Sequence, residues 1–278
     1  MSWDVIVVAT DFSSRGDRAI DRGKQLSERT GAKLRFVHAT NLPEDDSPDI
    51  AELNRKMREA TGADPLSEAV EFEFVSGSPP KAIANACMVD DVSMLVIGPA
   101  RYNSIGDYLL GTAVDYVLRN TEKPVLVTKN RAHGPYSHIV AGTDFSEGSE
   151  FAILTAARMF PDAEMHLIHG WHVPFQAFQK DQYVADEIES AERSNMEEFI
   201  SALAVKEPRL GGVTFDLVKG GPTVAMRRGL ETVPDALAVI GSHGASGFEQ
   251  ATIGSVTSDL LRCIEADTLV VNTKGAVA

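Results

Sequence analysis

The chain has 278 residues, a mass of 30.0 kDa and a formal net charge of −14, and 44% of its residues are hydrophobic. This acidic balance argues against a nucleic-acid partner, because phosphate backbones are bound by faces rich in lysine and arginine. No apolar run reaches the roughly 18 residues of a membrane span, and the length suits two α/β domains of about 140 residues each.

The N-terminal segment reads MSWDVIVVATDFSS and lacks the basic region and long apolar stretch of a signal peptide. We therefore expect a cytoplasmic protein. The two cysteines, Cys87 and Cys263, share no CxxC spacing. They are expected to be small buried residues rather than a redox pair or metal ligands.

The first half alternates short β-branched runs with helical segments, and a first helix is expected to begin near residue 14, capped by Ser13 or Ser14. Several runs are continuously apolar, which is typical of strands buried on both faces of a parallel sheet. The run VEFEFV alternates instead and predicts an edge strand with one wetter face. The predicted strands span residues 5–9, 34–39, 70–75, 94–98 and 125–128.

A polar segment with glycine and proline, KNRAHGPYS at 129–137, predicts a boundary between one domain at 1–130 and another at 137–275. The second half repeats the alternation, with a helix capped by Ser146 and a long amphipathic helix over 183–203. VTFDLV predicts a second edge strand. The predicted strands span residues 139–142, 165–170, 213–218, 237–241 and 269–272.

The two halves are copies of each other, because six anchors recur in the same order. Their offset rises from 131 to 143, which places an insertion of 12 residues between the second and third strands of the second copy. Each copy is therefore predicted to be a doubly wound α/β domain with a five-stranded parallel sheet and helices on both faces. The anchors are TDFS at 10–13 and 143–146, His38 and His169, the runs from Val75 and Val218, the runs from Leu95 and Ala238, Gly111-Thr112 and Gly254-Ser255, and the strands at 125–127 and 269–271.

Distinctive residues of the second copy follow its strands, where open parallel sheets bind ligands. Thr143 and Asp144 follow the first strand, GSHG at 241–244 follows the fourth, and Gly254-Ser255 opens a helix nine residues later. Glycines let backbone N–H groups approach a phosphate, and a helix N-terminus favours an anion. This constellation predicts a site for a ligand that carries phosphate.

The spacing GSHG, nine residues, GS resembles the pattern of universal stress proteins that bind ATP, and the likeness extends over nearly the whole chain. The resemblance implies ATP, ADP or AMP, with Mg²⁺ offsetting the phosphate charge. It also implies the strand order 3-2-1-4-5 of folds related to the adenine nucleotide alpha hydrolases. The implied contacts are Gly142, Thr143, Asp144, Gly170, Gly241, His243, Gly244, Gly254, Ser255, Val256 and Thr257.

The first copy departs from this pattern, because its loop reads GPAR and Arg101 replaces the second glycine. Arg101 either fills the phosphate space and leaves a degenerate domain, or pairs directly with a phosphate. We favour degeneracy or an altered ligand. The residues of the alternative second site are Thr10, Asp11, Ala39, Gly98, Arg101, Gly111 and Thr112.

The histidines do not predict a metal site. His166 and His169 face opposite sides of one strand, and His38 and His169 occupy matching strand ends, where a packed structural role is favoured over catalysis. No catalytic residue is predicted, since no general base is evident beside the expected γ-phosphate.

Three functions remain open at this stage. The favoured one is a nucleotide-binding stress-response regulator, with slow ATP hydrolysis as a variant. The second is an assembly module with vestigial nucleotide sites, because the family resemblance implies pairing of the last strands, 124–128 and 268–272, between the two halves and further pairing in a homodimer. The third is an enzyme or carrier for a small or lipid-like ligand in the first copy.

Overall fold

The structure is a computed structural model that describes residues 3–13, 16–40, 42, 49–64, 66–98, 112–173, 182–233, 235–242 and 253–272. The first half contains β1 (Val5–Ala9), α1 (Gly16–Thr30), β2 (Lys33–Ala39), α2 (Ile50–Thr61), β3 (Val70–Val75), α3 (Pro79–Ala86), β4 (Val92–Ile97), α4 (Thr112–Asn120) and β5 (Val125–Val127). The second half contains β6 (His138–Gly142), α5 (Glu147–Met159), β7 (Glu164–Trp171), α6 (Gln182–Lys206), a 3₁₀ helix (Pro208–Gly212), β8 (Thr214–Lys219), α7 (Pro222–Thr232), β9 (Leu237–Gly241), α8 (Ser255–Cys263) and β10 (Thr268–Val271).

The ten strands of the described residues form one sheet, in the order β3-β2-β1-β4-β5-β10-β9-β6-β7-β8. Neighbouring strands within each half are parallel, so both halves have the doubly wound order 3-2-1-4-5. The halves meet where β5 and β10 pair antiparallel, with Leu126 opposite Leu269. The fold class predicted from the sequence, two tandem doubly wound α/β domains, is confirmed.

The burial of each strand follows its residue pattern. Every residue of β1 and β4 is buried, as expected for continuous apolar runs between two layers of helices. The alternating strands β3 and β8 lie at the two edges of the sheet and have no fully buried residue. The prediction of edge strands is therefore correct in both halves.

The helices begin at or near their predicted capping residues, and the insertion lengthens one of them. Helix α5 begins at Glu147, and the Ser146 side chain accepts a hydrogen bond from the Ser149 amide, as the sequence predicted. Helix α1 begins at Gly16, slightly later than expected. Helix α6 has 25 residues, whereas its counterpart α2 has 12. The inserted residues therefore lengthen the helix that follows β7.

An apolar layer covers each face of the sheet and continues through both halves. One layer contains residues of α1, α2, α5 and α6, and the other contains residues of α3, α4, α7 and α8. The junction strands contribute to both layers, with Leu126 and Leu269 on one face and Val125 and Val270 on the other. The two halves thus share their hydrophobic core. Among the described residues, no helix is long and apolar enough to cross a bilayer.

Candidate functional site

The carboxyl ends of β6 and β9 lie side by side in the second half, because these strands pair in parallel up to Ala141 and Val239. The chain leaves β6 for α5 on one face of the sheet and leaves β9 for α8 on the other face. Strand ends that diverge in this way border a crevice. Residues 142–144, Gly241 and the start of α8 surround it, whereas His243 and Gly244 lie outside the described residues.

A tight turn fixes the carboxylate of Asp144 at the end of β6. Its Oδ1 accepts hydrogen bonds from the Ser146 amide at 3.2 Å and the Ser146 hydroxyl at 2.5 Å. The Thr143 hydroxyl accepts from the Phe145 amide at 3.0 Å and lies 3.0 Å from the Ser149 hydroxyl. Asp144 is exposed. The turn therefore presents a carboxylate of fixed orientation to the crevice.

This turn requires an unusual backbone conformation. Phe145 has φ of 62°, in the left-handed region that an aromatic residue rarely adopts. Phe12, at the matching position of the first half, has φ of 59°. Strained conformations of this kind persist where surrounding contacts hold them, and they cluster at functional sites. Both halves therefore keep the same constrained turn after their first strand.

A histidine supports this turn in each half. The Nδ1 of His169 lies 2.8 Å from the Thr143 carbonyl oxygen, and the Nδ1 of His38 lies 2.9 Å from that of Thr10. A carbonyl oxygen only accepts, so Nδ1 carries the proton in both rings. The His169 ring lies 4.4 Å from the Phe145 ring, between centroids, in the same tilted arrangement as the first half. These contacts give both histidines a positioning role.

The outer ring nitrogen of His169 faces a carboxylate. Glu192 of α6 lies 3.6 Å from the Nε2 of His169. In the first half, burial lowers the pKa of His38, against the opposing effects of the hydrogen bond to the Thr10 carbonyl and of the Asp11 charge. The second half thus places a carboxylate beside the outer ring nitrogen of its strand-end histidine.

Gly170 brings the backbone of β7 to the crevice. The Ile168 carbonyl accepts from the Thr143 amide on the β6 side, and the Trp171 carbonyl accepts from the Gly220 amide on the β8 side. Peptide groups of successive strand residues point to opposite edges, so the backbone of Gly170 faces the side of β6, beyond its last residue. The sequence prediction that this backbone contacts the ligand is compatible with this orientation.

We expect Gly170→Ala to lower the free energy of unfolding by about 1–3 kcal/mol, as overpacking does. A Cβ at this position would lie 2.9 Å from the Gly220 carbonyl oxygen and 3.1 Å from Gly221 backbone atoms, which are held by the bond from Gly220 to Trp171. Urea denaturation measures the loss. Gly221→Ala is the matched control, since its Cβ would meet nothing within 4 Å. Equal losses in the two variants would contradict the close approach.

The start of α8 is tied to the end of β9 by its own polar groups. The Thr257 hydroxyl donates to the Gly241 carbonyl at 2.9 Å, and the Gly254 amide donates to the Ser242 carbonyl at 3.1 Å. Of the predicted contacts, the Thr257 side chain and the Gly254 amide are therefore bonded to the backbone at the end of β9. Ser255 and Val256 are exposed in the first turn of the helix.

The first half brings the corresponding strand ends together in the same way. Thr10 and Asp11 follow β1, and Asp11 Oδ1 accepts from the Ser13 amide at 3.0 Å. Ala39 ends β2 and Gly98 follows β4, both beside the same switch point. Arg101 and Gly111 lie outside the described residues, and Thr112 begins α4.

His166 and the two cysteines have surroundings that differ from those of His169. His166 Nδ1 lies 2.8 Å from the Thr214 hydroxyl and contacts Asp216, away from the partners of His169. Burial raises the pKa of the Cys87 thiol to about 12, whereas Cys263 is half-buried. Within the described ranges, no three histidine, cysteine or carboxylate side chains are grouped closely enough to hold a metal ion.

Two contacts at this site were not foreseen from the sequence. Asn272 follows β10, and its Oδ1 accepts from the Ser242 hydroxyl at 3.3 Å. Ser149 of α5 bonds to the Thr143 hydroxyl. Neither residue belongs to a recognisable motif. Ser149, however, stands three residues after the predicted helix cap at Ser146, the spacing at which a capped amide is expected.

Comparison with known proteins agrees with this architecture. The model of the universal stress protein family matches residues 2–129 and, a second time, residues 135–272. A universal stress protein of Mycobacterium tuberculosis H37Rv is 25% identical over 301 aligned positions, which cover 95% of this chain and 96% of that protein.

Solved structures show the same fold along nearly the whole chain. A functionally unknown protein from Pseudomonas aeruginosa PAO1 superposes with a TM-score of 0.65 at 17% identity, over 96% of this chain and 92% of that one. A universal stress protein from Archaeoglobus fulgidus DSM 4304 has a TM-score of 0.62 at 17% identity, over 98% of this chain and 99% of that one. Tandem arrangement of two such halves is therefore found in other proteins of this fold.

Proposed function

The chain belongs to the universal stress protein family, and on that premise we propose that it is a stress-response regulator whose second domain binds an adenine nucleotide. The expected ligand is ATP or its products ADP and AMP, and the expected place of action is the cytoplasm. The free thiols of Cys87 and Cys263 suit a reducing compartment.

The fixed carboxylate of Asp144 beside the crevice is the observation that carries this proposal. A carboxylate there accepts hydrogen bonds from a ribose hydroxyl or an adenine amine, and the backbone of Gly170 faces the same space. Across the crevice, the exposed first turn of α8 at Ser255 and Val256 offers amide groups and a helix N-terminus to phosphates. His243 and Gly244 would complete the phosphate loop.

Binding, with at most slow hydrolysis, is the activity that this site favours. The Asp144 carboxylate is engaged by Ser146, which suits a hydrogen-bond acceptor better than a mobile general base. Mg²⁺ would arrive with the triphosphate, because this ion usually keeps several waters and binds through phosphates and one or two carboxylates. A nucleotide that favours one conformation of the crevice would then regulate the protein through a shift in population.

We further propose that the domains extend over 1–130 and 137–275 and are related by a pseudo-twofold axis. The two ranges matched by the family model and the antiparallel pairing of β5 with β10 support this arrangement. Each of these two strands already has a neighbour on both sides. A homodimer would therefore have to use a different surface.

Calorimetric titration of the full chain with ATP and Mg²⁺ tests the proposed function. We expect one site per chain, in the second domain. Two sites would show that Arg101 is compatible with a nucleotide, and the first domain would then be a second site. The absence of binding at millimolar ATP would favour the assembly module with vestigial sites.

Substitution of Gly244, which corresponds to Arg101 of the first half, tests where the nucleotide binds. Gly244→Arg is expected to abolish or strongly weaken ATP binding, because an arginine side chain would occupy the space that the second glycine leaves for a phosphate. Gly212→Arg is the control, since it adds the same charge at an exposed glycine with nothing within 4 Å of its Cβ position. Unchanged affinity in Gly244→Arg would refute the phosphate loop.

A further inference from the structure

Each half of the protein holds the last helix of the other half. Lys129, which follows β5, donates from Nζ to the carbonyl oxygens of Leu261 at 2.8 Å and Ile264 at 2.5 Å, at the end of α8. Asn272, which follows β10, donates from Nδ2 to the corresponding carbonyls at the end of α4. These acceptors are Leu118 O at 3.2 Å and Thr121 O at 2.8 Å.

The two contacts are equivalent under the internal repeat, because Lys129 and Asn272 are 143 positions apart, as are the members of each pair of acceptors. Both side chains are buried, with Lys129 7% exposed and Asn272 3% exposed. The last carbonyl groups of a helix have no partner within it, and a buried helix end needs one from elsewhere. Across the junction, each half supplies a hydrogen-bond donor to the carbonyl groups at the end of the other half's last helix.

The two caps differ in charge. Asn272 offers a neutral amide to α4, the helix of the half that carries Arg101 in its loop. Lys129 offers an ammonium group to α8, the helix whose first turn faces the crevice of the second half. A cation at the C-terminus of a helix interacts favourably with the helix dipole. The nine residues of α8 span about 13 Å, and because Lys129 is buried, solvent ions screen its attraction for an anion at the other end less than that of an exposed charge.

We propose that Lys129 is a positioning residue for the nucleotide site, a cationic cap from the first domain that fixes α8 and strengthens the binding of phosphate at its N-terminus. This inference rests on the proposed function of the second domain. It gives the first domain a role in nucleotide binding that does not require a ligand of its own.

Affinity for ATP with Mg²⁺, measured by calorimetry on the full chain, tests this role. Lys129→Gln keeps a donor for the carbonyl groups and removes the charge, and we expect ATP binding to weaken about threefold to tenfold. Lys24→Gln is the matched control, because Lys24 donates to the last carbonyl of α2, Thr61, at 2.8 Å, away from the crevice. It removes the same charge from the same kind of helix end, and its affinity should stay within about twofold of wild type.

The pH profile of ATP binding separates the charge from a purely structural contact. Burial lowers the pKa of Lys129 to about 8, against the opposing effects of its neighbours. We expect wild-type affinity to fall as the pH rises through this value. In Lys129→Arg the cap stays charged, so its affinity should fall less. The charged or titratable groups that act on Lys129 are Asp267, Cys263 and Glu265, while Arg18 donates to its main-chain carbonyl and Arg22 and Tyr136 donate to Asp267.

The outcomes distinguish this inference from the function on which it rests. Wild-type binding with equal affinities in Lys129→Gln and Lys24→Gln would overturn the inference and leave the nucleotide site in place. The absence of wild-type binding would overturn both. If Lys129→Gln does not fold, the pH profiles of ATP binding by wild type and Lys129→Arg test the inference instead. The other groups titrate in both proteins, so a difference between the two profiles is due to Lys129. Parallel pH profiles would then reject the role of the charge.

Discussion

Asp267→Ala is expected to lower the free energy of unfolding by about 3–5 kcal/mol, because loss of one member of a buried ion pair leaves the other charge without a partner. Asp267 Oδ2 lies 3.2 Å from Nη2 of Arg22, and the two side chains are 2% and 5% exposed. Burial and the charge of Asp267 raise the pKa of Tyr136 well above its ordinary value, so its hydroxyl remains a donor. The other donors to Asp267 are the Lys129 amide at 2.6 Å, the Asn130 amide at 2.9 Å and the Tyr136 hydroxyl at 2.5 Å.

The comparison with an exposed ion pair tests whether burial causes this loss. Asp162 pairs with Arg29 at 2.5 Å and also joins the two halves, but the side chains are 73% and 38% exposed. Asp162→Ala should therefore cost less than about 1 kcal/mol. Asp267→Asn, which keeps one acceptor oxygen, should fall between the two alanine variants. Urea denaturation of the three variants provides the measurement, and equal losses at positions 267 and 162 would contradict the buried network.

Much of the fold was predictable, because the burial of each strand follows from the pattern of its own residues and the repeat shows that the two halves share one architecture. Continuous apolar runs identified the buried strands, and alternation in VEFEFV and VTFDLV identified the edges. The change of offset between the copies located the lengthened helix α6. These features depend on residues that are close in sequence or on their recurrence at a fixed spacing. The order of strands came from the family resemblance, since periodicity does not specify which strands are neighbours.

The contacts across the junction were not predictable in this way. Lys129 and Asp267 lie 138 positions apart in segments that read as an ordinary polar linker and a loop. The Lys129 amide reaches the Asp267 carboxylate only because β5 and β10 pair antiparallel, so the burial of both residues is a consequence of the assembled sheet. The left-handed backbone conformation of Phe145 was not predictable either, because it is rare for an aromatic residue and nothing in the motif TDFS indicates it. At the site, residues were selected from the sequence by residue type, whereas the structure shows that the Thr257 hydroxyl already donates to the Gly241 carbonyl at the end of β9.

The pairing of β5 with β10 predicts that the two halves unfold together. Leu126 and Leu269 lie opposite each other at the junction, and both are 0% exposed. We expect Leu126→Ala or Leu269→Ala to lower the free energy of unfolding by about 2–5 kcal/mol, because each leaves a cavity in a core that the halves share. The loss should appear in both halves, whichever half carries the substitution.

The two tryptophans of the chain report on different places, Trp171 on the second half and Trp3 on the first half together with its contact with the second. Trp3 lies in the first half, although its ring contacts Phe160 of the second, and Trp171 lies in the second half. Trp171→Phe and Trp3→Phe leave one fluorescent reporter each, and both should report the same urea midpoint, which Leu126→Ala shifts equally. A midpoint that moves only in the substituted half would mean that β5 and β10 separate before either domain unfolds. In that case Lys129 would leave α8 at the same step, and the first domain would influence the proposed nucleotide site only while the junction is closed.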